Sequence, residues 1–281
     1  MKKIINVILT IVAMCLVIVL FVSLSIRTMS TKTITNAIIE KEVNDNLKEV
    51  LSSSFPEISS QNIDTIEEVI TENDTLNEVA GNLLDQVSTY ISNGQELDTT
   101  AILNEVSQAV DQTIPELENA IGQQISKEQI TEIKNKLADE NGSLKNKINE
   151  TVDKIQNASP KTTQFIKIYN TLDNNFTKII CGAGLIIIVI LLVIINRSYY
   201  KWMFYFSSAL VISGIIVGLF LPLVVNALEF TIGSRLLAMS IDIPVSSLNY
   251  AGIISGAIGI VLGILYLILK RKYPGYSRHY Y

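Results

Sequence analysis

Four uninterrupted apolar runs, each bounded by charge, constrain this chain more than any other feature. Residues 4–26 carry no charge between Lys3 and Arg27, and residues 179–195 none between Lys178 and Arg197, with a start as early as Phe176. Residues 202–228 are uncharged between Lys201 and Glu229, and residues 243–269 between Asp242 and Lys270, with an apolar core from Ala251. A helix needs about 20 apolar residues to cross a hydrocarbon core about 30 Å thick, so all four read as membrane spans. The 281-residue chain is 48% hydrophobic, above an average soluble domain, yet the stretch between the first two runs is polar. One soluble domain plus a membrane unit is expected.

The basic start "MKK" and the small residues "SLS" at 23–25 also suit a secretory signal. The first run is longer than the 7–15 residues of a signal core, so an uncleaved anchor is the preferred reading. A lipoprotein site needs a small residue before its cysteine, and Met14 precedes Cys15. Two cysteines, Cys15 and Cys181, both within apolar runs, exclude a disulfide scaffold and read as small hydrophobes.

Charge sets the sidedness. Lys2, Lys3, Arg197, Lys201, Lys270, Arg271, Lys272 and Arg278 fall in three short segments that contain no Asp or Glu. Alternating spans put these segments on one face, and lysine and arginine near span ends are retained in the cytoplasm. The expected layout is a cytoplasmic N-terminus at 1–3 and spans at 4–26, 179–195, 202–225 and 250–269. Segment 27–178 and the 226–249 loop lie outside; the turn 196–201 and the tail 270–281 lie inside. This is a multi-pass cell-membrane protein with both termini cytoplasmic. The turn "NRSYYK" has Tyr199, Tyr200 and Trp202 at headgroup level; a docking point for a cytoplasmic partner is the alternative. About twenty cytoplasmic residues hold no kinase, nucleotide-binding or output domain.

Segment 27–178 reads as helical. Its only prolines are Pro56, Pro115 and Pro160, and its glycines stand at 81, 94, 122 and 142. Ile39, Val43, Leu47 and Val50 share a face, so the first span is expected to continue as helix until Pro56. Ile63, Ile66, Val69 and Ile70 suggest a short helix. Asp74 suits a cap before Leu76, Val79, Leu83, Val87 and Tyr90, with Gly94 beyond the end. Asp98 suits a cap before Ile102, Leu103, Val106 and Val110, and Pro115 the first turn of a further helix. "SKEQ" at 126–129 has the form of a capping box, followed by Ile130, Ile133 and Leu137. Leu144, Ile148, Val152 and Ile155 continue the pattern. From "SPKT", with Ser159 as cap and Pro160 as first helical residue, nothing in the sequence breaks the helix up to Cys181. These single apolar stripes predict a bundle.

Charge is uneven in this domain. Fifteen acidic residues and no Lys or Arg occur from Glu49 to Ser126; nine lysines and seven acids follow from Lys127 to Lys178. The acidic half reads as a solvated surface, or as one that attracts cations or a basic partner. A single histidine, His279, leaves no His-based zinc cluster and no Ser–His–Asp triad. No phosphate-cradling loop and no carboxylate within a span is present. No catalytic residue, cofactor or metal site is therefore expected, and no nucleic-acid partner. The abundance of Ile, Asn, Lys and Glu points to an AT-rich bacterial genome.

In the fourth span Gly252, Gly256, Gly259 and Gly263 follow a 4-3-4 spacing that puts them on one helical face. Gly214 and Gly218 are four apart in the third. Small residues let helix backbones approach closely in lipid. The expected use is packing of an antiparallel hairpin, with a bulky residue at Gly256 forcing it open; a self-association seam or a groove for a partner span is the alternative. Pro222 is expected to kink the third span.

The expected architecture is all-α: a four-span helical membrane protein with an extracytoplasmic helical bundle between spans one and two. The expected role is non-enzymatic binding or scaffolding through the outer domain, with the lipid bilayer and another membrane or extracellular protein as partners, and self-association as an option. The order of one span, a large outer domain and three further spans resembles permeases of the cell-division and macrolide-exporter ABC families, in connectivity only. That resemblance implies a permease-like component of a transport or cell-envelope complex. Those families use a larger cytoplasmic segment than "NRSYYK". A sensor subunit signalling through a partner membrane protein is the third option.

Overall fold

The computed structural model describes residues 2–34, 45, 49, 69, 74–93, 97–139, 142–156, 160–197, 200–232 and 243–273. The helices are α1 (Lys2–Ile34), α2 (Asp74–Asn93), α3 (Thr99–Ile121), α4 (Lys127–Ala138), α5 (Ser143–Gln156), α6 (Pro160–Asp173) and α7 (Asn175–Asn196). They continue with α8 (Lys201–Ile215), α9 (Leu221–Ile232) and α10 (Ser246–Lys272), and a π-helical turn, Ile216–Phe220, joins α8 to α9. Among the described residues there is no strand. Four stretches are long and apolar enough to cross a membrane: Lys2–Thr33, Asn175–Asn196, Lys201–Ala227 and Ser246–Lys272. An all-helical chain with four such helices is compatible with a multi-pass integral membrane protein.

The chain divides into two compact units. One collects residues 1–28, 167–228 and 245–281, and so holds the four apolar runs; the other comprises 29–166 and 229–244.

The second unit has its own core. Leu76, Ile102, Leu117, Ile133, Leu137, Leu144 and Ile148 are fully buried, drawn from α2, α3, α4 and α5. Each helix contributes one stripe at helical spacing, and burying a Leu or Ile side chain contributes roughly 1.5–3 kcal/mol. Local signals set the ends. Asp98 accepts from the Ala101 amide to start α3. Ser126 and Gln129 form a reciprocal capping box at α4. Gly122 closes α3 at φ 69°, a left-handed conformation that side chains disfavour. Val69 is helical and packs against this core. Ile39, Val43, Leu47, Val50, Pro56, Ile63, Ile66, Ile70, Gly94 and Ser159 lie outside the described residues.

Two expectations need correction. Pro115 starts no new helix; it lies inside α3. A mid-helix proline removes one backbone bond at about 3 kcal/mol. The stripe of Val106, Val110, Ile114 and Leu117 is buried through that point, and burying Ile114 and Leu117 together outweighs the lost bond. The second correction is at Asn174, where the run from Lys161 to Cys181 does break. Asn174 has extended backbone and accepts from the Phe176 amide as the cap of α7. Asparagine competes well for such a cap, and that local bond decides the break.

Among the described residues, two ion pairs join the acidic and lysine-bearing halves of this unit. Lys134 reaches Asp111 at 2.5 Å and Lys136 reaches Glu49 at 2.9 Å. Its hydrogen bond to the Glu49 carboxylate holds the Lys136 ammonium above the ordinary lysine range. Part of the acidic surface is thus met by the chain's own lysines.

Candidate functional site

The glycines singled out from the sequence meet where α8 and α10 cross. An ideal Cβ on Gly252 would stand 2.3 Å from Gly218 Cα and 2.7 Å from the Gly214 carbonyl oxygen. One on Gly214 would stand 2.7 Å from both the Gly252 oxygen and the Gly256 nitrogen. Backbone meets backbone here, so no side chain can turn aside. Gly259 is closed by Val211 and Leu210, with Val211 Cγ2 at 2.8 Å, and Gly263 by Ser207 Oγ at 2.9 Å. Gly256 differs: its backbone faces Gly214, but a Cβ there would meet nothing within 4 Å. A side chain at Gly256 points away from the contact, so the tight positions are Gly214 and Gly252, with Gly259 held against the Val211 nitrogen at 2.9 Å.

Serines stitch the same crossing. Ser207 Oγ of α8 donates to the Gly259 carbonyl of α10 at 2.8 Å, and Ser255 Oγ of α10 donates to the Leu210 carbonyl of α8 at 2.9 Å. Ser213 Oγ donates to the Ala209 carbonyl and lies 3.2 Å from the Met14 carbonyl of α1. Ser207, Ser213 and Ser255 are buried. Apolar periodicity does not mark such serines; their small size beside glycine does. The π-helical turn holds Gly218 and ends two residues before Pro222. A proline ring presses on the carbonyl four residues earlier, here Gly218, and widening the helix there accommodates it.

Two contacts between α1 and α7 escape a reading based on charge and glycine rows. Asn6 and Asn196 exchange amide hydrogen bonds at 2.9 and 3.2 Å, and Asn196 Nδ2 also donates to the Leu192 carbonyl at 2.7 Å. Gly184 lies against Leu16, whose Cδ1 would be 2.9 Å from a Cβ there.

Contacts sort the helix ends of this unit into two groups. At one end the Asn6–Asn196 pair joins α1 to α7. Trp202 packs with the Ala13, Ile188, Leu192 and Ala209 cluster. The Tyr200 and Tyr266 rings lie 6.1 Å apart. Lys2, Lys3, Arg197, Lys201, Lys270, Arg271 and Lys272 all belong to this end, by chain neighbourhood to those contacts. At the other end Asp173 bridges Arg27 and Lys178, each at 3.1 Å, and Tyr169 donates to it at 3.3 Å. The break at Asn174 leaves the last α6 carbonyls without helical donors. Ser23 Oγ donates to the Leu172 carbonyl and Thr177 Oγ1 to that of Thr171. Asp173 is the one Asp or Glu of the whole unit. The membrane unit is therefore strongly polar in charge: seven cations and no Asp or Glu side chain of the unit at one end, cations paired with Asp173 at the other.

Both cysteines are free, Cys15 exposed and Cys181 buried. Among the described residues no three His, Cys, Asp or Glu side chains gather in a metal-binding arrangement. The groove along α4, lined by Lys127, Glu128, Thr131, Glu132, Asn135, Lys136 and Asp139, is furnished by one helix alone. Comparison with protein-family models, with curated proteins and with solved structures gives no match to this chain.

Proposed function

We propose that the chain is a non-enzymatic integral membrane protein whose unit of α2 to α5 lies outside the cytoplasm and serves binding or scaffolding of another membrane or extracellular protein. The observation that carries this reading is the charge polarity of the membrane unit. Lys2, Lys3, Arg197, Lys201, Lys270, Arg271 and Lys272 lie in basic segments directly beside the spans at one end. Such segments are retained in the cytoplasm, so the proposed layout has both termini inside and the 27–178 segment outside. The core of Leu76, Ile102, Leu117, Ile133 and Ile148 supports a folded outer body rather than a linker. Work done by such a body is done on partners outside the bilayer, with glycine and serine packing holding its membrane anchor together.

The test is crosslinking in intact cells with an impermeant reagent, followed by identification of the captured proteins. Recovery of one extracytoplasmic or membrane partner, reproducibly joined through lysines of 127–178, is the expected result. Crosslinks only to cytoplasmic proteins through Lys201 or Lys270, after the reagent is admitted, would overturn it.

A further inference from the structure

Lys270 Nζ stands 5.7 Å from the centre of the Tyr266 ring. That ring lies 6.1 Å from Tyr200, which is buried, and Lys201 follows Tyr200 directly. One cation thus stands over an aromatic pair contributed by opposite helix ends, and a second, Lys201, is the chain neighbour of that pair. Arg271 and Lys272 are exposed and complete the last turn of α10. The unit's sole carboxylic side chain, Asp173, is engaged at the other end by Arg27 and Lys178, so among the described residues of the unit no Asp or Glu side chain answers these four charges.

We infer that Lys201, Lys270, Arg271 and Lys272 bind the phosphate of an anionic phospholipid headgroup, with Tyr200 and Tyr266 holding the site at headgroup depth. Tyrosine rings partition to the interface, and basic residues next to a span attract anionic lipid. A basic last turn also complements the dipole of α10. That simpler role is indifferent to lipid charge, and the two are separable on this ground.

Trp202 is the only tryptophan of the chain and begins the helix beside this cluster, so it reports locally. The purified full chain is placed in nanodiscs of phosphatidylcholine containing a minor share of brominated lipid, either phosphatidylglycerol or phosphatidylcholine. Each cation near the surface strengthens anionic-lipid binding roughly five-fold. Trp202 should be quenched by brominated phosphatidylglycerol at a concentration at least about five-fold lower than by the zwitterionic lipid. The preference should fall toward parity in Lys270→Gln/Arg271→Gln/Lys272→Gln, and in the parent as salt is raised. Both leaflets of a nanodisc have the same lipids, so the outcome does not depend on orientation in the cell. Equal quenching by the two lipids in the parent overturns the inference. A preference that survives the triple substitution, or one that ignores salt, overturns the assignment to these residues. Should the triple variant fail to fold by circular dichroism, Lys270→Gln alone and the salt series decide.

Discussion

Asn6 of α1 and Asn196 of α7 exchange two amide hydrogen bonds across 190 residues of sequence. Asn6 is almost fully buried. A side-chain amide in such surroundings needs a partner, and a hydrogen bond between membrane helices contributes about 0.6 kcal/mol on average and up to about 1.7. Asn6→Ala should lower stability in detergent by about 1 kcal/mol. Asn196→Ala should do at least as much, since it also loses the bond to the Leu192 carbonyl. The double variant should be little worse than Asn196→Ala alone, because the pair is removed once. Strictly additive losses, measured by thermal melting in detergent, would show that the two amides act separately.

At the α8–α10 crossing the structure separates two glycines that look alike in sequence. Gly252→Ala should destabilise the hairpin by about 1–3 kcal/mol, since its Cβ lands on backbone. Gly256→Ala should be nearly neutral, since its Cβ points into open space. Gly214→Ala should resemble Gly252→Ala. Melting midpoints of the three variants give the ranking directly, and a Gly256→Ala as damaging as Gly252→Ala contradicts this packing.

Pro115 offers a test of the outer unit. If it lies within α3, Pro115→Ala restores a backbone bond and should raise the stability of that unit by about 1–3 kcal/mol. Had Pro115 opened a separate helix, the same change would be neutral or harmful, because proline is favourable at a first helical position. Leu117→Ala, two residues on and fully buried, should cost about 2–5 kcal/mol. Both are read from the melt of the full chain by far-ultraviolet circular dichroism.

Asp173 carries a further expectation. Its carboxylate answers Arg27 and Lys178 together. Asp173→Asn leaves both cations beside a neutral amide and should lower stability by roughly 1–3 kcal/mol. Asp173→Glu should recover part of the loss. The gap between the parent and Asp173→Asn should narrow at high salt, since partly exposed charges are screened. A gap that is unchanged by salt points to the shape of the α6–α7 joint rather than to its charge.

Much of the helical content was legible because apolar stripes, caps and span lengths are local properties. The Asp98 and Ser126 caps, and Leu76, Ile102, Ile133 and Ile148 on the buried faces, all follow from spacing and chemistry within a few residues. The misses share another cause. The local preference of Pro115 is for a helix start, and burial on both sides of it overrides that preference. Nothing local marks the break at Asn174, because a polar residue in a helical run becomes a cap only when the chain turns there. The Asn6–Asn196 and Ser213–Met14 contacts join residues far apart in sequence, and nothing in one helix names its partner in another. The glycine rows lie on the two stretches that approach each other through Gly214, Gly218 and Gly252. Which glycine faces backbone and which faces open space depends on the crossing geometry, as Gly252 and Gly256 illustrate.

The charge polarity of the membrane unit is tested most directly by cysteine accessibility in intact cells. Single cysteines replace Asn104 in α3, Ser198 and Ser277 in a Cys15→Ser/Cys181→Ser background. A membrane-impermeant thiol reagent should label position 104 in intact cells and reach positions 198 and 277 only after lysis. Labelling of position 198 or 277 from outside, with position 104 protected until lysis, contradicts the proposed orientation and with it the extracytoplasmic binding role.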